Sequence, residues 1–485
     1  MQWWVLRRRP HISWLITILG VAFIIGIICA KYAPQAQFAS TIWLLVGSIC
    51  IITGLQYRYL YLIPGLVIGA LLVGLWRGSA QVISLSQISQ LYDTKTTLVG
   101  NVREDVDSDK SGQLIIRLDQ LQTSMNAFDG SLWVTTKADV DIKRGDTVTV
   151  EGIIVKGFGS FVGTMYRAEI IALERPQPGD VARVVRDWFA DAIRRAIPSP
   201  ESSLGIGYLV GQKRALPLDL AEALQIAGLT HVVVASGYNL TILVRLARRL
   251  FEKVSKYLSA LSASLMIVSF IAVTGLSPSM SRAGLVAGLS LAAWYYGRRF
   301  HPVVLLTFAA AVTVMVNPSY AWGDLGWQLS FTAFAGVMIL APLLQRFFFG
   351  DSKPSTIRQI LGETSAALIM TAPILMYSFG QLSNVALIAN LLVLPLVPLA
   401  MLLTFIAGIG ALALPAFAVL IGLPASWLLG YMINTANYLA DIPWAVSEVE
   451  FSLTGVIVSY VVLLTVCIVL SRVTRYDLRD SNIVE

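Results

Sequence analysis

The sequence predicts a polytopic α-helical membrane protein interrupted by one small β domain. Three observations carry that reading. Of 485 residues, 56% are hydrophobic and 13% charged, where a soluble domain carries roughly 25% charged residues. Long apolar runs recur from residue 12 to residue 471, most close to the ~20 residues a helix needs to cross a bilayer core. Between them, residues 80–178 turn polar and alternate in hydrophobicity, as half-buried strands do.

Residues 1–79 hold the first runs, 12–30, 39–56 and 59–76, read as three spans. The first follows Arg7, Arg8 and Arg9 as a signal peptide would. It is too long for a signal core and has no small-residue cleavage site before Pro34, so it reads as a retained span. In 80–178, "TTLVGNV", "GQLIIRLD", "SLWVTT", "DTVTVEGIIV" and "YRAEIIALE" read as five strands. Five short strands in so few residues suit a small β-barrel of the OB type. Residues 179–228 read as amphipathic, interfacial helices. In "DVARVVRDWFADAIRRAI", Arg183, Arg186, Arg194 and Arg195 lie opposite an apolar stripe. Residues 229–485 then supply nine runs: 229–247, 257–275, 281–296, 300–316, 325–345, 360–380, 384–410, 416–439 and 452–471. Pro395 and Pro398 predict a kink in the run 384–410.

The net charge of +7 is unevenly placed. Basic groups cluster at 7–9, at Arg245, Arg248, Arg249, Lys253 and Lys256, at Arg298 and Arg299, at Arg346, Lys353 and Arg358, and at Arg472, Arg475 and Arg479. About twelve spans, with both termini inside, put all five clusters on the cytoplasmic side. The β domain then lies outside, and the chain belongs in a bacterial cytoplasmic (inner) membrane among its lipids. Cys29, Cys50 and Cys467 sit in apolar runs without metal spacing and read as small hydrophobes.

The chemistry lies in polar groups set inside apolar runs. In "GLTHVVVASGYNL", residues 228–240, His231, Ser236, Tyr238, Asn239 and Thr241 would point all round a continuous helix. Lipid cannot satisfy them, so the helix is expected to break near Ser236 and Gly237 and to line a hydrated passage; ordinary helix–helix glue is the alternative. In "TGLSPSMSRAG", Ser281 and Arg282 start a span at its outer end, where helix dipole and charge bias both disfavour a cation. Arg282 either meets a negative partner, such as Asp324 or a passing anion, or snorkels to headgroups. In "NPSYAWGDLGWQLSFTAFAG", Asp324 fits an N-cap as well as an ion partner. Trp322 and Trp327 read as interface anchors, while Gln328 and Ser330 need internal partners, as does Asn390 before Pro395.

Ser236 and His231, five residues apart, would stand ~140° apart on a helix, a poor hydrolase dyad. The three histidines, His11, His231 and His301, have no ligand spacing, and no phosphate-binding loop occurs. No catalysis, metal or cofactor is therefore expected. A secondary transporter of a small solute or ion, built on broken helices, competes with a conduit. A membrane scaffold with an outer binding domain is the third reading.

Together, "ALQIAGLTHVVVASGYNLTILV", "TGLSPSMSRAG", "DLGWQLSFTAFAG" and "TAPILMYSFGQLSNVALIANLLVLPLVP" resemble the ComEC/Rec2 competence family, in this order and with the same order of parts. Tyr238 and Asn239 stand where that family typically has a His or similar group after Ser-Gly. The resemblance implies a channel importing single-stranded transforming DNA, working with a separate nuclease, a DNA receptor and a cytoplasmic helicase or ATPase. Many members end in a metallo-β-lactamase-like nuclease; this sequence has no such His-rich motif, so nuclease activity is not carried over. The channel-lining or DNA-path candidates are His231, Ser236, Gly237, Tyr238, Asn239, Ser281, Arg282, Asp324, Gln328, Ser330 and Asn390. In the β domain, residues 95–175 carry ten Lys and Arg against twelve Asp and Glu, so bulk charge does not draw DNA. Phe128, Trp133, Phe158, Phe161 and Tyr166 either stack single-stranded bases or serve the domain's own core.

Overall fold

The computed structural model describes residues 10–57, 59–108, 112–137, 140–177, 179–212, 216–233, 236–275, 277–297, 301–350, 352 and 354–476. The basic markers Arg7, Arg8, Arg9, Arg298, Arg299, Lys353 and Arg479 lie outside the described residues. The chain is a polytopic α-helical membrane protein with a β-sheet domain. Among the described residues, eight helices are long and apolar enough to cross a membrane; Thr41–Tyr57 and Pro302–Val316 are apolar but shorter. Two compact units divide the chain: Met1–Gly179 with Phe300–Phe331, and Asp180–Arg299 with Thr332–Glu485.

In the first unit, helix Ile12–Ala30 packs on Ile63–Ser86 through paired glycines. A Cβ on Gly26 would stand 2.4 Å from the Leu71 carbonyl, and one on Gly74 2.3 Å from the Phe23 carbonyl. Gly47 and Gly69 bring Thr41–Tyr57 against the same helix, where a Cβ on either would stand 2.7 Å from the other's carbonyl oxygen. Between apolar helices in lipid, such backbone approach supplies the dispersion contact that water would otherwise drive. Helix Pro302–Val316 also packs on Ile12–Ala30, with Gly20 against Thr307. Helix Ile63–Ser86 runs on past residue 79, and Ser84 donates to Asp129 of the sheet domain.

The sheet domain has eight strands: β1 Lys95–Val102, β2 Asp107–Ser108, β3 Leu114–Gln122, β4 Ala127–Phe128, β5 Ser131–Thr136, β6 Thr147–Lys156, β7 Phe161–Met165 and β8 Glu169–Glu174. All five expected strands are among them. β1 pairs antiparallel with both β3 and β6, β3 with β5, β6 with β7 and β8; β5 and β7 run parallel. Strand β7 escapes sequence reading because Val162, Gly163, Thr164 and Met165 are all buried, so no period of two shows. Leu98, Ile116, Leu118, Leu132, Val148, Val150 and Ile154 fill the interior.

The second unit is built round helix Glu201–Val210, in which Ser202–Val210 are all buried. Gly205 lies against Thr404 of Val397–Ala413, and Leu204 and Tyr208 join Leu429 and Met432 of Ala418–Ala440 in one core. Within 179–228, Glu201–Val210 thus supplies the core's central helix. Its small residues permit that approach. In Val181–Ala196, Arg183 and Arg186 are turned inward, while Arg194 and Arg195 are exposed. Arg186 is 3% exposed and pairs with Asp187 at 2.9 Å, while Val181, Val184, Val185 and Trp188 face outward. Asp187 in turn accepts from Gln212 at 3.1 Å, so the arginine enters the interior with its counter-charge.

The run 229–247 is not one helix: Thr230–Val233 and Gly237–Phe251 are separate. The run 384–410 changes helix type where its prolines fall. Ala386–Val393 and Val397–Ala413 are joined by a 3₁₀ turn, Leu394–Leu396, that accommodates Pro395. A π turn at Gly336–Leu340 precedes Pro342 and relieves the ring's clash with the preceding turn.

Candidate functional site

The interruption at Ser236 is a helix start. Ser236 is extended (φ −117°, ψ 163°) and its Oγ accepts the Asn239 amide at 3.4 Å, capping Gly237–Phe251. The same hydroxyl donates to Asn239 Oδ1 at 3.2 Å, while Asn239 Nδ2 donates to the Tyr208 carbonyl at 3.1 Å. Tyr208 is two residues from the end of its helix, where carbonyls have no intrahelical partner. Asn239, fully buried, supplies one. Two of the polar groups that interrupt the apolar run thus satisfy backbone and one another. His231 and Tyr238 are solvent-accessible.

Gly237 lies against Ala283, where a Cβ would stand 3.2 Å from the Ala283 Cβ, so the first two motifs meet. Arg282 is 4% exposed, and its guanidinium donates to Ser279 Oγ at 3.1 Å and to the Ser279 carbonyl at 3.3 Å. That burial corrects the snorkelling alternative. Ser281 is half-buried on the same helix, Pro278–Tyr295. Asn390 is 1% exposed, and among the described residues its Oδ1 meets no donor.

In the first unit, Asp324 breaks the chain between Ser319–Gly323 and Leu325–Ala335 and takes the N-cap role: its Oδ1 accepts the Trp327 amide at 2.6 Å. Gln328 donates to the Ala321 carbonyl at 3.2 Å, and Ser330 is half-buried beyond it. Trp327 is buried, with its indole N–H donating to Thr313 Oγ1 at 2.9 Å and its ring 4.7 Å from that of Phe331. It is a core residue, not an interface anchor, because Thr313 answers its one donor inside.

The sheet domain gathers three of the five aromatic candidates. Trp133 lies 5.3 Å from Phe158 and 5.2 Å from Phe161, ring centre to ring centre, and Phe158 lies 5.5 Å from Phe161. The Arg117 guanidinium stands 5.3 Å from the Trp133 ring, held by Glu104 and by Asp107 at 3.1 Å. Phe158 is half exposed. Phe128 is a correction: it is 8% exposed and belongs to the sheet core. Tyr166 is exposed apart from the cluster.

The turn carrying Phe158 docks on the segment that carries Asp324. A Cβ on Gly323 would stand 2.5 Å from the Gly159 carbonyl oxygen, and Gly159 itself has φ +59°. Nearby, Arg103 bonds Asp119 at 3.2 Å and the Tyr320 hydroxyl at 3.3 Å. Burial works against that guanidinium's charge, but Asp119, Tyr320 and Glu104 outweigh it and hold its proton more tightly than in free arginine. The geometry therefore fixes an aromatic surface, with arginines paired to carboxylates at its edge, at the end of helix Leu325–Ala335. Sequence reasoning missed Gly159 and Gly323; a glycine in each of two turns was the available signal.

The fold and these clusters define a competence-type membrane protein: a profile of the Competence protein family matches residues 208–473, more than half the chain, and the chain belongs to that family. Its similarity to a particular protein is to ComE operon protein 3 of Bacillus subtilis (strain 168), 25% identical over 249 residues, covering 49% of this chain and 31% of that relative. The chain thus spans about a third of the relative's length in alignment. No solved structure matches.

Proposed function

We propose that this protein forms an inner-membrane passage through which single-stranded transforming DNA enters the cell during natural competence. The observation that carries the proposal is the Trp133–Phe158–Phe161 cluster with Arg117 on its edge, fixed by the Gly159–Gly323 contact at the end of a membrane helix. Stacking rings with a guanidinium beside them hold single strands without reading sequence. Membership of the Competence protein family supports the same role.

In this reading the sheet domain is an OB-type barrel on the outer side. The circuit of pairings β1–β3–β5–β7–β6–β1 supports it. About twelve spans, with both termini cytoplasmic, place the basic stretch 245–256 inside, where it receives phosphates. Arg282, buried beside the Ser236 break, offers cationic charge along the path. The passage works without a catalytic site of its own, alongside a separate nuclease, a DNA receptor and a cytoplasmic helicase or ATPase.

The test is a titration of the full-length protein in lipid nanodiscs with fluorescent oligothymidylate. Trp133→Ala with Phe158→Ala is expected to weaken binding by about tenfold or more, since each stacked base contributes roughly 1–3 kcal/mol. Tyr166→Ala, outside the cluster, leaves affinity unchanged. Equal affinity of wild type and double variant, or normal transformation by cells carrying the double variant, overturns the proposal.

A further inference from the structure

A groove of about 850 Å³ runs along helix Ala418–Ala440, with Ile388 and Leu392 of Ala386–Val393 on its other wall. It extends from Ser426 to Leu439, roughly 20 Å or more than three helical turns. One carboxylate opens into it, that of Glu201 in the first turn of the central helix.

The depth of that carboxylate is unusual. A Cβ on Gly430 would stand 3.6 Å from Glu201 Oε1, and Gly430 is at the middle of a helix long enough to span. An ionised carboxylate at mid-bilayer is costly unless it is paired, and intramembrane carboxylates mark functional sites. Among the described residues, Glu201 has neither an ion pair nor a hydrogen-bond donor on its side chain. No lysine, arginine or histidine lines the groove.

The remaining lining says what kind of cation fits. Ser426, Gly430 and Asn434 recur every four residues, a low track that lets a second backbone come close. Trp427 and Tyr438, each about three-quarters exposed, stand as rims beside the track, and aromatic faces attract cations. A phospholipid's ammonium group stays at the headgroup level, and its tails bring no charge to the midplane. A helix carrying one long basic side chain matches the length, the track and the charge together.

We propose that this groove is the docking site for a transmembrane helix of another membrane protein, one that bears a lysine or arginine at mid-bilayer depth and pairs it with Glu201. The reading of the chain as a DNA passage is not needed for it.

The experiment measures energy transfer, in vesicles, between labelled full-length protein and a labelled synthetic Leu/Ala transmembrane helix with one central lysine. The control helix has leucine at that position. The lysine helix is expected to associate about tenfold more tightly, the scale of one good polar pair between membrane helices. Glu201→Gln removes that difference, and Gly430→Ile blocks the lysine helix while leaving Glu201 in place. Thermal melting in detergent confirms that each variant is folded. Equal association of both helices with wild type overturns the proposal, as does a lysine preference that survives Glu201→Gln. Displacement of the lysine helix by millimolar tetraethylammonium also overturns it, in favour of a small-cation site. Dimers of the protein that vanish in Glu201→Gln overturn it in favour of a self-interface.

Discussion

At the scale of the residue, Asn239 joins two helices by a single buried hydrogen bond to the Tyr208 carbonyl, 3.1 Å long. Removing its amide leaves that carbonyl unanswered in an apolar interior, at a cost of about 1–3 kcal/mol. Asn239→Ala is therefore expected to lower the melting temperature of the detergent-solubilised protein clearly, whereas Tyr238→Phe, on an exposed side chain, leaves it unchanged. An unaltered melting temperature in Asn239→Ala would remove the bond's structural role. The break at Ser236 was legible because five polar side chains cannot all face lipid. What Asn239 bonds to was not legible, since its acceptor is a main-chain carbonyl about thirty residues upstream that every sequence possesses.

At the scale of the element, the docking of the β6–β7 turn on the chain between two helices rests on two glycines. A side chain at Gly323 has no room beside the Gly159 carbonyl, and a non-glycine at position 159 is strained at its positive φ. Gly323→Val is expected to cost about 1–3 kcal/mol through overpacking. It should also make the sheet domain more readily cut by trypsin at Arg167, an exposed residue, while the protein still inserts into membranes. Trypsin resistance equal to wild type would show that the contact does not hold the turn. Periodicity made five strands legible, because one face of each is buried and the other is not. It failed for β7, buried on both faces, and for Glu201–Val210, whose glycines and serines lower its apparent hydrophobicity although it is the most enclosed helix. Phe128 and Trp327 misled because an aromatic ring fits a core as well as a surface, and only the neighbours decide.

At the scale of the whole molecule, the proposed sidedness makes one prediction that does not depend on any site. With Cys29, Cys50 and Cys467 replaced by alanine, Met125→Cys, on an exposed position of the sheet domain, is expected to react with a membrane-impermeant maleimide added to intact cells. Lys253→Cys should react only after the cells are opened. The reverse pattern would turn the passage round. The two-part make-up of the first unit bears on biogenesis. The helix Pro302–Val316 packs against Ile12–Ala30, and the turn at Gly323 seats the β6–β7 loop. While the ribosome is still short of residue 331, the amino-terminal helices and the sheet must wait half-assembled, holding open the place that a much later stretch of the same polypeptide will occupy.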